Sequence, residues 1–477
     1  MAAIFFENSI GWAQYKLLGG WKNLLSTSIG YAILGVLVIY AMVKGVHGPP
    51  QQTFSAFIEF FLVIQVISLL LYGTMRVGGA VRADVSAKLI ESHRLMPTPP
   101  FTAVFGYLFG STAQAFSLFV VTFILGAACV VGAGMRIQSW IFSNAVLLLF
   151  SMFVWTIVLF FSFRSGGIAL AFIISLVFLT FSSGAPFALL PAINMLLSPM
   201  ISTTIFDMRT GITLDPAFMA AAIAQIAIGA IYLTAAARRY SRDDTLTFDS
   251  TLSLLLLAIW TVVCVLSVRW HDLFSFRGMM GWHYQEIAIV SSISSVLLLA
   301  ILPISSSVRT QVLPPHKRAT NLGWHIPPWL AILAATAAAS GAIQCVRREY
   351  RPPWSDIRTL LVAFAFLTST RYVLGLAHRF KAGPRRSMLV WLIVTWLLPV
   401  FAEAVRSAAL ADPNKPDRMS QIGMISPPGE LYQIWTHNPY VHTDSFEGLA
   451  TQCAIAAGVA LLYYSSRPRY SGGSERN

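Results

Sequence analysis

Long runs of apolar residues, broken by short polar stretches, fill almost the whole chain. A helix needs about 20 apolar residues to cross the hydrocarbon layer of a membrane. Runs of that length therefore predict membrane-spanning helices rather than the helices of a soluble protein. We count twelve such runs, at about residues 27–47, 54–77, 101–132, 139–162, 165–185, 216–237, 250–268, 286–307, 327–346, 357–377, 387–409 and 447–465.

The polar positions divide these runs into two groups of six. The stretch RRYSRDDTLTFDS, from Arg238 to Ser250, interrupts the apolar pattern near the middle of the chain. We therefore expect an all-α, polytopic membrane helix bundle in two six-helix halves. Residues 1–245 would form a six-helix core, and residues 246–477 would form a second membrane region whose role the pattern does not indicate.

A further apolar pattern precedes the first span. Apolar residues recur there at helical spacing, and two aromatic residues precede them. The apolar residues are Leu17, Leu18, Trp21, Leu24 and Leu25, and the aromatic residues are Trp12 and Tyr15. This predicts an interfacial helix over Gly11 to Leu25, lying in the plane of the membrane surface. The alternative is that these residues are the frayed start of the first span.

Composition agrees with a membrane protein, since 56% of the residues are hydrophobic and 11% are charged, against about 25% charged in soluble domains. The net charge of +13 would suggest nucleic acid in a soluble protein. In membrane proteins Lys and Arg concentrate in cytoplasmic loops, so we expect no nucleic-acid partner. Most of the 33 Lys and Arg residues lie on one side if both termini are cytoplasmic, but the cluster from Arg347 to Arg358 would then face outward.

One short polar stretch, between the second and third spans, carries most of the charge in its neighbourhood. Its charged residues follow one another at short spacings, and apolar residues lie between them, so a short amphipathic helix fits the segment. The prolines that follow would end this helix and begin a rigid turn into the third span. An ordinary solvated loop is the alternative. The charged residues are Arg82, Asp84, Lys88, Glu91 and Arg94, and the prolines are Pro97, Pro99 and Pro100.

The run RADVSAKLIESHRLMPTPPFTAVFGYLFG resembles the cytoplasmic loop of the type-2 ABC exporter permeases. Arg82 and Asp84 correspond to the charged pair of that motif, and Leu95 to its Leu. The Thr-Pro of the motif is matched as well, and so is a glycine in the helix that follows. A Gly-Thr of the family is replaced by Ala-Lys, and a proline stands where Leu is usual. These matches and departures are at Thr98, Pro99, Gly106 or Gly110, Ala87, Lys88 and Pro100.

The resemblance covers about residues 1–240 and implies how the chain would work. A separate ATPase subunit would dock on Arg82 to Met96, bind ATP and Mg²⁺, and switch the spans between inward-facing and outward-facing states. The interfacial helix and a re-entrant segment at residues 182–206 would agree with the family. No GxxxxGK[ST] occurs in this chain, so we expect no enzyme activity and no cofactor in it. The residues implied for coupling are Arg82, Asp84, Lys88, Glu91, Arg94, Thr98 and Pro99.

The same resemblance implies the setting of the protein. It places the chain in a cell membrane, as in the bacterial inner membrane, with an unknown substrate. The transport pathway would be completed by a homodimer or by a pseudo-dimer of the two halves.

Three charged residues fall inside predicted spans, where ionisable groups are candidates for function. Glu59 lies near the outer end of the second span and could instead reach the interface. Arg371, in the tenth span, is a candidate for the translocation path or for a structural pair. Glu403, in the eleventh, is followed by Arg406 at a spacing that allows an ion pair.

Two other classes of protein stay open. The external segments Arg269 to Glu286 and Asp412 to Glu447 gather acids, histidines and aromatics, as an intramembrane enzyme such as a membrane glycosyltransferase would need; a transporter vestibule or an inert cap could use them too. No HExxH, GxSxG or CxxC occurs, so we expect no metal site. A non-transporting membrane scaffold is the third class.

Overall fold

The structure is a computed structural model, and in its described part every regular element is helical. No strand occurs among those residues, which confirms the expected all-α fold. The described residues are 8–45, 50–95, 98–163, 216–241, 248–269, 284–312, 328–344, 355–380, 384–410, 423, 425–435 and 447–466.

The described helices form two compact units, one before residue 242 and one after residue 247. The first unit holds α1 (Ser9–Leu17), α2 (Gly20–Gly45), α3 (Pro50–Val66), α4 (Thr74–Ser86), α5 (Leu89–Arg94), α6 (Pro100–Gly132), α7 (Ile137–Ser162) and α8 (Pro216–Ser241). The second unit holds α9 (Ser250–Arg269), α10 (Tyr284–Val312), α11 (Pro328–Gln344), α12 (Ser355–Arg379), α13 (Pro384–Leu392), α14 (Leu398–Leu410), α15 (Pro427–Trp435) and α16 (Glu447–Ser465).

Ten helices in the described part of the chain are long and apolar enough to cross a membrane. The chain is therefore a multi-pass membrane protein, and these ten helices match ten of the twelve expected runs. The fifth run, at residues 165–185, lies outside the described residues, as does the proposed re-entrant segment. The ninth run corresponds to α11, and residues 327, 345 and 346 of that run lie outside the described residues.

The interfacial helix is shorter than the sequence predicts. It ends at Leu17, and the chain turns at Gly19 and Gly20, whose φ angles are +91° and +63°. Only glycine adopts such angles without strain, so this pair separates α1 from the first span. Trp21 and Leu24, predicted to belong to the interfacial helix, lie in α2 instead.

The second span contains a π-helical segment, Ile67–Gly73, between α3 and α4. Such segments interrupt the regular hydrogen-bond ladder of an α-helix. Here the indole Nε1 of Trp155 on α7 donates a 3.0 Å hydrogen bond to the carbonyl oxygen of Leu69. Gly73 makes room for the ring, because a Cβ atom there would lie 2.8 Å from it. Helices α3 and α4 thus form one continuous rod that is tied to α7.

Aromatic residues fill the packed interior of the first unit. Phe57 and Phe61 of α3 and Trp140 of α7 are buried in one cluster. The indole Nε1 of Trp140 donates a 3.0 Å hydrogen bond to the carbonyl oxygen of Phe123 on α6. This bond satisfies the indole donor inside the core, where an unpaired polar group would be costly.

The second unit buries an ion pair whose two residues the sequence pattern assigned to the external side of the membrane. Helix α15 lies in a segment predicted to be external, yet it packs against α10 and α12. Its Glu430 is fully buried, and Oε1 of this residue lies 2.8 Å from Nε and 2.7 Å from Nη2 of Arg358. Arg358 is therefore paired with a buried carboxylate rather than exposed to solvent, and the side of the membrane on which it lies stays a prediction. Residues 345–354, which hold the rest of that basic cluster, lie outside the described part of the chain.

Candidate functional site: the segment between the second and third spans

The polar segment follows a helix that is much longer than a membrane is thick. The α3–α4 rod runs from residue 50 to residue 86, about 55 Å at 1.5 Å per residue. The hydrocarbon layer measures about 30 Å. The charged end of α4 therefore extends beyond the membrane, and Lys88 turns the chain with a positive φ of 56°. Helix α5 follows as the short helix that the sequence predicts.

Asp84 lies on the inner side of this segment and is buried. Its Oδ2 accepts a 3.0 Å hydrogen bond from Nε2 of Gln14 and a 2.7 Å hydrogen bond from the hydroxyl of Tyr107. Because the two donors belong to α1 and α6, one carboxylate joins three helices. Asp84 is therefore not among the exposed charges of this segment, and its predicted part in ATPase coupling stays a prediction. Its role in the described structure is to hold the segment in place.

Helix α1 packs on α6 through glycines. A Cβ atom on Gly110 would lie 2.5 Å from the carbonyl oxygen of Gly11, and a Cβ atom on Gly106 would lie 2.8 Å from the nitrogen of Gly11. The two backbones therefore approach as closely as only glycine permits. At the start of α1, Oδ1 of Asn8 accepts a 3.0 Å hydrogen bond from that nitrogen, and its Nδ2 donates to the carbonyl oxygen of Thr102.

A methyl group at residue 110 tests this packing. In Gly110→Ala the new Cβ would clash with the backbone of Gly11, which has no rotamer to change, so α1 must move away from α6. We expect the free energy of unfolding of the first unit to fall by about 1–3 kcal/mol, as for other overpacked sites.

The measurement is the rate of maleimide labelling of Cys129, which is buried in α6, in a chain whose other cysteines are replaced by serine. Gly79→Ala is the matched control, because open space surrounds that helical position and alanine favours a helix. Equal labelling rates in the two variants would contradict the close packing of α1.

Arg94 fastens the other end of the segment to α8. Its Nε donates a 2.6 Å hydrogen bond to the carbonyl oxygen of Tyr240, and its Nη2 donates a 3.3 Å hydrogen bond to that of Arg239. The last carbonyl groups of a helix have no partner within the helix and attract positive charge. The rings of Tyr107, Phe163 and Tyr240 pack beside this contact. Arg94 is thus an anchor for the segment.

The outer side of the segment has a different character. Arg82, Lys88 and Glu91 are exposed, and none of their side chains has a hydrogen bond or ion pair with another described residue. Leu89 and Leu95 are also exposed, and Leu95 is 88% accessible. The outer side therefore combines exposed charged side chains with two exposed leucines.

The remaining predicted coupling residues lie where the third span begins. Pro99 is exposed and precedes the first residue of α6, and Pro100 is that first residue, where its missing N–H group costs nothing. Thr98 is half-buried. Pro97 lies outside the described residues, and the described part of the predicted turn, Thr98 to Pro100, leads directly into α6.

The three predicted charges inside spans have separate surroundings. Glu59 is exposed on α3. Glu403 is buried and accepts hydrogen bonds of 3.1 Å and 2.6 Å from Nε and Nη2 of Arg406. Arg371 is half-buried, and its guanidinium carbon lies 5.5 Å from the centre of the Tyr372 ring. Glu59 belongs to the first unit and the other two residues to the second, and their part in a translocation path stays a prediction.

Sequence reasoning missed the partners of Asp84. Gln14 and Tyr107 lie in segments predicted to be helical, but periodicity does not show which face meets which neighbour. The glycines at 106 and 110 gave a signal, since two glycines one helical turn apart on a long helix indicate close approach of another backbone. No cluster of metal-ligating side chains occurs in the described part of the chain.

Comparison of the chain with protein-family models, with curated proteins and with solved structures found no match.

Proposed function

We propose that this multi-pass membrane protein is the permease subunit of an ATP-driven ABC exporter, with ATP hydrolysed by a separate subunit. The observation that carries the proposal is that residues 82–95 have two sides with different contacts. The inner side is fastened to three helices, and the outer side presents exposed charged and apolar residues. A movement of the outer side would therefore be transmitted to the spans through these contacts.

The inner contacts support this proposal because they join several helices to one point. Asp84 holds α1 and α6, and Arg94 holds the end of α8. Movement of α5 would therefore move the ends of the third span and of the last span of the first unit together. An ordinary solvated loop needs no such attachments.

The outer surface supports a soluble protein partner. Leu89 and Leu95 would enter an apolar groove, while Arg82, Lys88 and Glu91 would set orientation at its rim. Charged rims of this kind contribute more to partner selection and association rate than to affinity. Because the chain has no phosphate-binding loop of its own, the partner in this proposal supplies ATP and Mg²⁺. A homodimer, or the two halves of one chain, would complete the pathway.

Reversal of the exposed charges tests the proposal. The tagged chain is purified from its native membrane in mild detergent, and proteins with a Walker A sequence are sought by mass spectrometry and by ATPase activity. We expect such an ATPase with the natural chain. We expect at least about tenfold less of it with the combined variant Arg82→Glu, Lys88→Glu and Glu91→Lys, since like charges across an interface cost several kcal/mol.

The matched control is Arg136→Glu, an exposed charge between α6 and α7, at the opposite end of α6. It should leave recovery of the ATPase unchanged. Equal recovery with the combined variant would remove residues 82–95 from the contact. Failure to recover any ATPase, with the natural chain well folded, would favour the scaffold or enzyme classes instead.

A further inference from the structure

Arg371 is a positive charge within a span of the second unit, and the proposed function does not use it. It lies eight residues before the end of α12 at Arg379, about 12 Å along the helix axis. Its guanidinium carbon faces the ring of Tyr372, at 5.5 Å from the ring centre. A guanidinium group at this depth is costly unless an anion or a polar surface meets it.

The helices that pack on α12 offer no carboxylate at this depth. The only acid in α12 is Asp356, in its first turn, about 22 Å from Arg371 along the axis. The only acid in α16 is Glu447, also in the first turn. Helix α10 has Glu286 near its start, and α11 and α13 have no acid. Helix α15 has Glu430, which binds Arg358 in the first turn of α12.

Arg379 is held in a fixed position at the end of the same helix. Its guanidinium carbon lies 3.7 Å from the centre of the Tyr463 ring, and its Nη1 donates to the carbonyl oxygen of Tyr463 and, at 3.0 Å, to Oγ of Ser466. Among the described residues, its Nε and Nη2 groups have no hydrogen-bond acceptor. Gly375 lies between the two arginines, and a Cβ atom there would lie 2.6 Å from the ring of Tyr463. Tyr463 therefore lies against α12 between Arg371 and Arg379.

Tyrosines gather around the two arginines. The rings of Tyr372, Tyr463 and Tyr464 lie 5.3 to 5.7 Å apart, and the hydroxyl oxygens of Tyr372 and Tyr464 are 3.3 Å apart. Tyrosine is enriched where membrane meets water, because its ring is apolar and its hydroxyl polar. The sequence that follows α12 and α16 is basic, and its basic residues are Lys381, Arg385, Arg386, Arg467 and Arg469.

From this arrangement we infer that the α12–α16 surface formed by Arg371, Arg379 and Tyr463 binds the phosphate of an anionic phospholipid. The phosphate would accept hydrogen bonds from Nε and Nη2 of Arg379 at the end of the span, and the long side chain of Arg371 would extend toward the same headgroup. The acyl chains would lie on the apolar surface of the same helices. A lipid is the ligand of choice because the position of Arg371 in the apolar part of α12 is reached from the bilayer. A net negative headgroup is favoured because the neighbouring sequence is basic.

Native mass spectrometry of the full chain in detergent tests this inference, with phosphatidylglycerol and phosphatidylcholine as probes. We expect a phosphatidylglycerol adduct that survives activation energies at which phosphatidylcholine is lost. Arg371→Gln and Arg379→Gln should each weaken phosphatidylglycerol binding about fivefold, given the contribution of one basic residue near an anionic lipid. Arg136→Gln, at an exposed position of the first unit, should leave it unchanged.

Several outcomes would overturn the inference. One is equal retention of the two lipids by the natural chain, which needs no variant and so does not depend on variant folding. Another is unchanged phosphatidylglycerol binding in the variant that lacks both arginines. Displacement of the lipid by inorganic phosphate would retain a phosphate site but reject the lipid as its ligand. Arg371→Lys, which keeps the charge and the fold, should retain most of the binding.

Discussion

Glu430→Ala should destabilise the second unit by about 3–5 kcal/mol, the usual cost of breaking a buried ion pair from one side. The substitution leaves the guanidinium group of Arg358, which is 5% exposed, without its carboxylate. Arginine stays protonated at any accessible pH, so the charge cannot be removed by losing a proton. The cost therefore persists at all pH values at which the protein is studied.

The measurement is unfolding of the full chain in mixed detergent micelles, with thiol labelling to locate the change. Cys264 is buried in α9 of the second unit, and Cys129 is buried in α6 of the first. With the other cysteines replaced by serine, Glu430→Ala should speed the labelling of Cys264 and leave that of Cys129 unchanged. Arg386→Ala, which removes an exposed arginine of the same unit, is the control and should change neither rate.

The opposite deletion should behave differently with pH. Burial raises the pKa of Glu430, and Arg358 opposes this effect. In Arg358→Ala the opposing charge is gone, so the pKa of Glu430 in the folded protein lies further above its value in the unfolded chain. The folded protein then holds this proton more tightly, so Arg358→Ala should be most stable at acid pH and lose stability as pH rises through the raised pKa.

A double replacement completes the test of the pair. Arg358→Met combined with Glu430→Leu removes both charges and keeps apolar volume, a change that is often neutral or stabilising. If this variant is as unstable as Glu430→Ala, the loss comes from packing of α15 rather than from the unpaired charge. Recovery of stability would assign the cost to the charge.

The helices of this protein are well predicted from sequence because a span leaves a strong signal. About 20 apolar residues in succession are typical of a membrane helix and rare elsewhere, and proline marks the start of α6 correctly. The signal is absent for α15, which lies in a polar segment that gave no periodic pattern. Local pattern likewise gave no sign of the π-helical segment, which depends on Trp155 of another helix.

The sequence predicted where the polar segment lies along the chain, but not which of its side chains are buried. Charge spacing located a short amphipathic segment between the second and third spans, and the structure has one there. Which charges face inward depends on partners distant in sequence: Gln14 is 70 residues from Asp84, and Arg94 is 146 residues from Tyr240. The sequence of a polar segment does not show whether a carboxylate in it is exposed to water or accepts hydrogen bonds from two buried donors. For this reason the sequence pattern does not distinguish Asp84 from the exposed charges of the same segment.

Asp84→Ala should separate the structural role of this segment from its proposed docking role. The variant leaves the Nε2 group of Gln14 buried without its acceptor, at a cost of about 1–3 kcal/mol. The hydroxyl of Tyr107 keeps only its 3.3 Å contact with Nδ1 of His93. We expect faster labelling of Cys129 in the first unit and unchanged labelling of Cys264 in the second. Glu91→Ala is the matched control, since that carboxylate is exposed and its loss should alter stability by no more than about 0.5 kcal/mol.

Two further variants distinguish the hydrogen bonds from the charge of Asp84. Asp84→Asn keeps an oxygen for the two donors and should lose less stability than Asp84→Ala. Adding Tyr107→Phe to Asp84→Ala removes one of the stranded donors, so the combined loss should be smaller than the sum of the two single losses. Strictly additive losses would contradict the contact.

The exposed charges at positions 82, 88 and 91 should show the opposite behaviour, with unchanged unfolding and loss of the ATPase. That contrast follows only if the segment has an inner side built for attachment and an outer side built for a partner.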